Sequence, residues 1–273
     1  MHLASNWRTK RSPEPGPMRR DSPLLEVFQR LYGCYGPQGW WPAQSKFEVI
    51  VGAILTQAIS WTGVERAIES MRAAGVFSLE GLTETPVEEL AQLVRPCLYY
   101  NVKAGKLKAF AAHLWRHHEG NLEAFLSQDA LALRQELLSI YGIGEETADD
   151  ILLYAAERPF FVIDAYTRRI MRRLGMAPAR EDYRSFQGLF HRGLPRDAPL
   201  FNEYHALLDR HAKESCRKRP LCSTCCLLEL CPTGRQAAAS EASQEQSCYG
   251  SAYKKSSNTG GNRPGKGIGN PIQ

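Results

Sequence analysis

An all-α fold is what this sequence predicts, on three observations. Apolar residues recur at helical spacing through most of the chain between Pro23 and Glu214. Gly, Pro or a capping Ser, Thr or Asp separates most of these segments. Period-two alternation is scarce, and the apolar run Phe160–Ile163 is too short to change the class.

Residues 1–22 are Arg-rich and nearly free of acids. They contain no apolar stretch of the kind a secretory signal needs, and three prolines oppose an amphipathic transit helix. The segment reads as a disordered basic arm. A helix begins near Pro23, with proline suited to the first turn and Ser22 placed to cap it. Phe47–Ala58 is apolar on nearly every face, which places that helix inside the fold. Further helices are expected over Trp61–Ala74, Val87–Val94, Lys103–Glu119, Leu122–Ser127, Ala130–Ile140, Glu145–Ala156, Ala165–Leu174, Tyr183–Arg192 and Phe201–Glu214. From about Gly234 the composition turns to Ser, Gly, Asn, Gln and Ala, with little to bury, so 234–273 reads as a disordered tail holding Cys248.

The 273 residues are enough for one large domain or two small ones, and 43% hydrophobic content can fill a core. A formal charge of +5 permits a polyanionic partner. No run of 18 apolar residues occurs, so no membrane span is expected. The expected location is cytoplasmic, nucleoid-associated in a bacterium. Of eight cysteines, five fall between Cys216 and Cys231, and without a secretory signal such clustering points to metal over disulfides.

The central motif is LLSIYGIGEETADDILLYA, Leu137 to Ala155. Gly142 and Gly144 flank Ile143 and lead directly into a polar helix start. Glycines there allow positive φ and close approach of another backbone. The amides of residues 144–147 then point out of a helix N-terminus, which suits a phosphate, and Thr147 can add a hydroxyl. An ordinary αα-hairpin with glycines as a C-cap is the bland alternative. The Thr-Ala pair and the apolar repeat around the turn favour the phosphate reading.

This motif, together with ERPFFVIDAYTRRIMRRLG after it, resembles the helix-hairpin-helix/Gly-Pro-Asp superfamily of DNA glycosylases, in its endonuclease III-related branch. FEVIVGAILTQAISWTGVERAI and YYNVKAGKLKAF resemble further segments of that family, so the likeness runs from about Phe47 to Cys231. It implies two α-helical lobes. One is a six-helix barrel over 45–158 that ends in the hairpin. The other combines 23–44 with 159–231 and a cluster loop. It further implies a monomer that binds double-stranded DNA containing a damaged base in the cleft between the lobes.

Asp164 falls at the family's essential aspartate. A carboxylate there stabilises the oxocarbenium character that develops as an N-glycosidic bond breaks, and it can orient or deprotonate the nucleophile. It is also placed to cap the helix that starts at Ala165. Bifunctional family members carry a lysine two positions after the hairpin's second glycine, which forms a Schiff base with the sugar. Here Glu146 occupies that position and cannot form an imine, which implies a monofunctional enzyme that uses water. Glu146 either assists Asp164 as a second carboxylate, with one pKa pushed up, or is simply a helix-start acid. A bifunctional glycosylase/AP lyase using another amine, such as Lys103, is the alternative. A non-catalytic iron–sulfur DNA-binding or damage-sensing protein is the alternative of another class.

The cysteine spacing is Cys216-x5-Cys222-x2-Cys225-x5-Cys231. Four thiolates within sixteen residues can wrap one compact metal centre. Structural zinc prefers two close cysteine pairs, and only one exists here, so [4Fe–4S] is favoured and Zn²⁺ is the alternative. The spacing resembles the C-terminal cluster loop of endonuclease III, whose first gap is usually one residue longer. Cys226 is left as a bystander. The first loop places Arg217, Lys218 and Arg219 for phosphate contacts. A flipped base leaves a gap, and Gln57 matches the family's intercalating glutamine. Trp61, Tyr99 and Tyr100 are candidates for a base pocket or for packing, and His205 for a structural hydrogen bond.

Overall fold

The computed structural model describes residues 22–57 and 61–240. Most of the basic arm, and the tail beyond 240 with Cys248, lie outside the described residues.

Twelve α-helices lie between Pro23 and Glu214: α1 (Pro23–Tyr35), α2 (Lys46–Leu55), α3 (Trp61–Ala73), α4 (Leu79–Glu84), α5 (Val87–Leu93), α6 (Tyr100–His118), α7 (Leu122–Leu126), α8 (Ala130–Ser139), α9 (Glu145–Asp150), α10 (Ala165–Arg173), α11 (Tyr183–Gly193) and α12 (Ala198–Glu214). No strand occurs among the described residues. Contacts sort the helices into two groups. In one, α2 packs on α3, α6 and α9, α6 also packs on α4, α5 and α7, and α8 packs on α9. In the other, α12 packs on α1 and α10, and α1 on α11.

α2 is buried from Glu48 to Leu55, as an all-round apolar helix requires. Its capping is conventional, with the Ser45 hydroxyl accepting from the Glu48 amide. Ser22 behaves differently from expectation: its backbone carbonyl accepts from Leu25 and Glu26, and its hydroxyl makes no cap bond. α4 was not foreseen, and Ser78 caps it by accepting from the Gly81 amide at 2.9 Å. Two helices start three residues earlier than the pattern suggested, α6 at Tyr100 and α12 at Ala198. In α12 the cause is Asp197, which accepts from the Leu200 amide at 2.7 Å, followed by a proline in the first turn. The chain is also helical over 232–240, past the point where the composition suggested a tail. Alanines at 237–239 favour that continuation.

The helix expected over Glu145–Ala156 changes character midway. α9 is α-helical to Asp150, and Ile151–Ala155 continue as a π-helix, with the Ala156 amide bonded to the Ile151 carbonyl at 3.0 Å. Such wide turns recur at functional sites because they re-aim the side chains that follow. This one packs on α2, α8, α9 and α12, and so joins the two groups of helices.

Phe160–Ile163 is extended and buried, yet pairs with no strand. Side chains of α11 satisfy its backbone instead. The Phe161 amide donates to His191 Nε2 at 3.0 Å, Gln187 donates to the Phe161 carbonyl at 2.9 Å, and the Ile163 amide donates to the Tyr183 hydroxyl at 3.3 Å. Phe161 itself stacks on Phe190, with ring centroids 3.7 Å apart.

Candidate active site

The extended segment delivers Asp164 to the N-terminus of α10. Its Oδ1 accepts from the Thr167 amide at 2.7 Å, so one carboxylate oxygen is committed to the cap. The other, Oδ2, lies 4.0 Å from Nε2 of His205, and the Asp164 side chain keeps 18% of its exposure. His205 is set by Tyr154, whose hydroxyl lies 2.6 Å from Nδ1. Burial holds the Tyr154 phenol well above its usual pKa, so it stays protonated. Nε2 of His205 is a buried nitrogen with no hydrogen-bond partner, and it faces Asp164 across the 4.0 Å gap.

Two further acids stand beside Asp164. Solvent reaches Glu146, but protein crowds it on most sides. Burial first, and the Asp164 charge second, raise its pKa to about 7, with Arg168 opposing. Asp150 is pushed well above the usual carboxylate range by burial and then by Glu146, Asp164 and Asp149. Glu146 is legible in the sequence, and Asp150 is not. Its signal was spacing alone: Glu146 and Asp150 stand four apart on one helix face.

An aromatic wall adjoins these acids. Trp41 meets Tyr154 edge-on at 5.2 Å and Trp61 edge-on at 5.4 Å, and Trp40 lies 5.6 Å from Trp41 and 5.8 Å from Trp61. Gly52 makes room for it, since a Cβ there would come within 3.2 Å of the Trp41 ring. Trp61 was foreseen as a pocket candidate, whereas Trp40 and Trp41 were not. Tyr99 is 72% exposed with a left-handed backbone, φ 58°, and Tyr100 is partly buried.

At the hairpin, Gly142 takes φ 85° and Gly144 leads into α9 with extended backbone. The Ile143 side chain is buried, and its amide donates to the Ile140 carbonyl at 3.1 Å. Thr147 is also buried, and its hydroxyl accepts from Gln57 Nε2 at 2.8 Å. Gln57 also donates to the Gly142 carbonyl at 3.2 Å, and Lys106 donates to its Oε1. The glutamine is thus bonded onto the hairpin. Lys103 is buried and donates to the Leu55 carbonyl at 2.9 Å, which keeps its amine inside the helix packing.

The four cysteines line one cavity with an empty volume of about 350 Å³, mouth included, between α10, α12 and the loop after α12. The expectation of a compact wrap is corrected here. Among the described residues no three of these sulfurs lie within 4.8 Å of one another. The thiols surround a space instead of closing on a point. Donors face them: the Leu227 amide to Cys225 Sγ at 3.4 Å, the Gly234 amide to Cys231 Sγ at 3.2 Å, and Arg173 to Cys216 Sγ at 3.2 Å. Such donors suit thiolates. Arg173 also donates to the carbonyls of Arg217 (2.6 Å) and Lys218 (3.0 Å), and Arg169 to that of Cys216 (3.0 Å). Arg217, Lys218 and Arg219 are all exposed.

The helical scaffold, the glycine hairpin and the capping aspartate at the head of α10 define a helix-hairpin-helix class of protein. A family model described as "HhH-GPD superfamily base excision DNA repair protein" matches residues 51–196. The chain belongs to that superfamily, in its endonuclease III-related branch. A candidate DNA repair glycosylase of Methanocaldococcus jannaschii is 42% identical over 76% of this chain and 95% of its own length. Endonuclease III of Sulfolobus acidocaldarius is 27% identical over 69% of this chain and 72% of its own. Among solved structures, the 3-methyladenine DNA glycosylase of H. pylori bound to 1,N6-ethenoadenine has a TM-score of 0.63 at 27% identity, covering 70% of this chain and 97% of that one. A non-covalent endonuclease III–DNA complex has a TM-score of 0.69 at 20% identity, covering 79% and 97%, and shares the fold.

Proposed function

We propose that this protein is a monofunctional DNA glycosylase that excises a damaged base from double-stranded DNA, with Asp164 as its acting carboxylate. The observation that carries the reading is the placement of Asp164. One oxygen is fixed by the cap of α10 and the other is free beside Glu146. A fixed anion beside the sugar stabilises positive charge developing at the anomeric carbon. Water attacks that carbon, the bond to the base breaks, and the base leaves with the bonding electrons. The proton released by water passes to Asp164 or to solvent.

DNA lies in the cleft between the 45–158 lobe and the lobe formed by 23–44 and 159–231. The amides of residues 144–147, at the head of α9 behind Gly142 and Ile143, take a phosphate, Arg217, Lys218 and Arg219 take others, and Gln57 fills the gap left by the extruded nucleotide. The wall of Trp40, Trp41, Trp61 and Tyr154 favours a flat, electron-poor base, because aromatic faces stack on such rings and attract positive charge. That chemistry, with the likeness to a 3-methyladenine glycosylase, supports alkylated purines as the lesion class. Glu146 cannot form the imine of a lyase, and Lys103 is tied to Leu55.

We assign Cys216, Cys222, Cys225 and Cys231 as ligands of a [4Fe–4S] cluster. A single tetrahedral zinc would need sulfurs about 3.8 Å apart, from Zn–S bonds of about 2.3 Å. A multi-atom cluster takes a wider setting, in keeping with thiols that surround a cavity. When bound it supplies structure to the basic loop, and none of the steps above runs through it.

The test is a panel of lesion duplexes, each assayed with and without hot alkali. Strand breaks only after alkali, on an alkylated-purine duplex, support the proposal. Breaks without alkali, or a product trapped by borohydride, overturn the monofunctional reading. Tight DNA binding with no excision on any lesion favours the damage-sensing alternative. Iron and acid-labile sulfide in anaerobically purified protein test the cluster against zinc.

A further inference from the structure

Away from the acids and the cysteine loop, α6 and α8 bring three metal-binding side chains to one point. His113 Nε2 lies 2.7 Å and His118 Nε2 2.5 Å from the same carboxylate oxygen, Oε1 of Glu136. The three donor atoms all lie within 4.8 Å of one another, the one such group among the described residues. Their side chains are 16%, 16% and 20% exposed, so the group is sheltered but open to an ion from solvent.

The geometry points to a second metal site: we propose that His113, His118 and Glu136 bind a divalent transition ion, Zn²⁺ foremost, with a fourth position open to water. Two imidazoles and one carboxylate are a ligand set that zinc takes. Zinc–nitrogen and zinc–oxygen bonds of about 2.0–2.2 Å place tetrahedral ligands about 3.3–3.5 Å apart. The observed 2.5 and 2.7 Å separations are a collapsed form of that arrangement, and the side chains need separate by less than an ångström to admit the ion.

Two surrounding features favour a cation here. His118 is the last residue of α6, a 19-residue helix whose C-terminus carries the negative end of its dipole. Gln128 donates to the remaining carboxylate oxygen, Oε2, at 2.7 Å. That bond orients Glu136, as outer-shell partners orient ligands. Arg116 in the same last turn opposes the ion and sets a limit on affinity. Because α8 is the first helix of the hairpin, the ion would clasp the hairpin to α6. Nothing in this depends on which base the protein excises.

The experiment is a Co²⁺ and Zn²⁺ titration of the full-length, iron-loaded protein, followed by visible spectroscopy and zinc-edge X-ray absorption. The expected result is one equivalent bound, Co²⁺ d–d bands without a thiolate charge-transfer band, and zinc scattering from nitrogen and oxygen. His118→Gln and His113→Asn should each weaken binding by more than about 100-fold, beyond the loss of an outer-shell partner. His117→Ala, which removes the exposed ring tilted against His113 at a centroid distance of 4.5 Å, should leave it unchanged. Circular dichroism and iron content identify any variant that fails to fold. Zinc binding that both folded variants retain, sulfur scattering, or no binding at all would overturn the proposal.

Discussion

At the scale of single residues, the site separates two jobs that Asp164 performs together. One oxygen caps α10 and the other faces His205 and the acids. Asp164→Asn keeps the cap, because asparagine is as good a capping residue as aspartate, but removes the anion. Single-turnover excision should fall by about 10²–10⁴-fold, while the thermal midpoint moves little. A large fall in midpoint would mean that the residue acts chiefly as a structural cap. Glu146 gives a second test. With a pKa of about 7 it gains charge through neutrality, adding an anion beside the developing cation. The excision rate should therefore rise as pH passes through about 7 in the native protein. In Glu146→Gln that limb should flatten, and a retained limb would assign the titration to another group.

At the scale of elements, the hairpin is braced from inside. Asp149 of α9 is fully buried, accepts from Arg134 of α8 at 2.7 and 3.0 Å, and also accepts from Gln187 of α11 at 2.7 Å. Removing one partner of such a pair strands the other charge. Asp149→Ala should lose about 3–5 kcal/mol in urea unfolding, and a loss under about 1 kcal/mol would show that water relieves Arg134. His191 and His211 are both buried histidines that weaken the fold in acid, and His191 shows how. Burial, then Arg196 and Arg134, lower its pKa from 6.5 to about 4, and its Nε2 accepts a backbone bond only when neutral. Below pH 6.5 the unfolded chain takes a proton that the folded chain refuses, so stability falls as pH drops from about 6.5 to about 4. Thermal midpoints measured across that window should show a shallower slope in His191→Gln. The helices around these residues were readable from their caps and glycines. α4 was not, because Leu79 and Leu82 alone fall on its buried face, too few to show a period. The shift from α to π turns at Ile151 was not readable either, since ILLYA is apolar under either period.

At the scale of the whole molecule, two groups of helices meet through the π-helix and α12, and the helix headed by Asp164 also anchors the cysteine loop through Arg169 and Arg173. The exposed Arg217, Lys218 and Arg219 are the loop's approach to DNA. Replacing all three with alanine should make log K against log salt shallower by up to about 2.7, at about 0.9 per phosphate contact. An unchanged slope would remove them from the interface. Much of this site was legible: Asp164, the hairpin glycines and the four cysteines stand in local motifs. Trp40 and Trp41 were not, because they join Trp61 and Tyr154 only after α3 and the π-helix pack on α2. Asp150 was hidden for a similar reason, since what raises its pKa is burial in the assembled fold.

The hold of α11 on the extended segment has a metrical consequence. Tyr183, Gln187 and His191 recur every four residues, a rise of about 6 Å along a helix. Two residues of extended chain advance about 6.6 Å. The step from Tyr183 to Gln187 nearly matches the step from Ile163 to Phe161, and His191 then holds the same Phe161 at its amide, so a helix can serve as a ruler for a strand that has no sheet. Its graduations are side chains, which makes the gauge tolerant of chemistry but intolerant of counting. A single residue added to α11 between Tyr183 and His191 would turn one mark about 100° away from the others. The reactive carboxylate at position 164 would then lose its reference point without being touched.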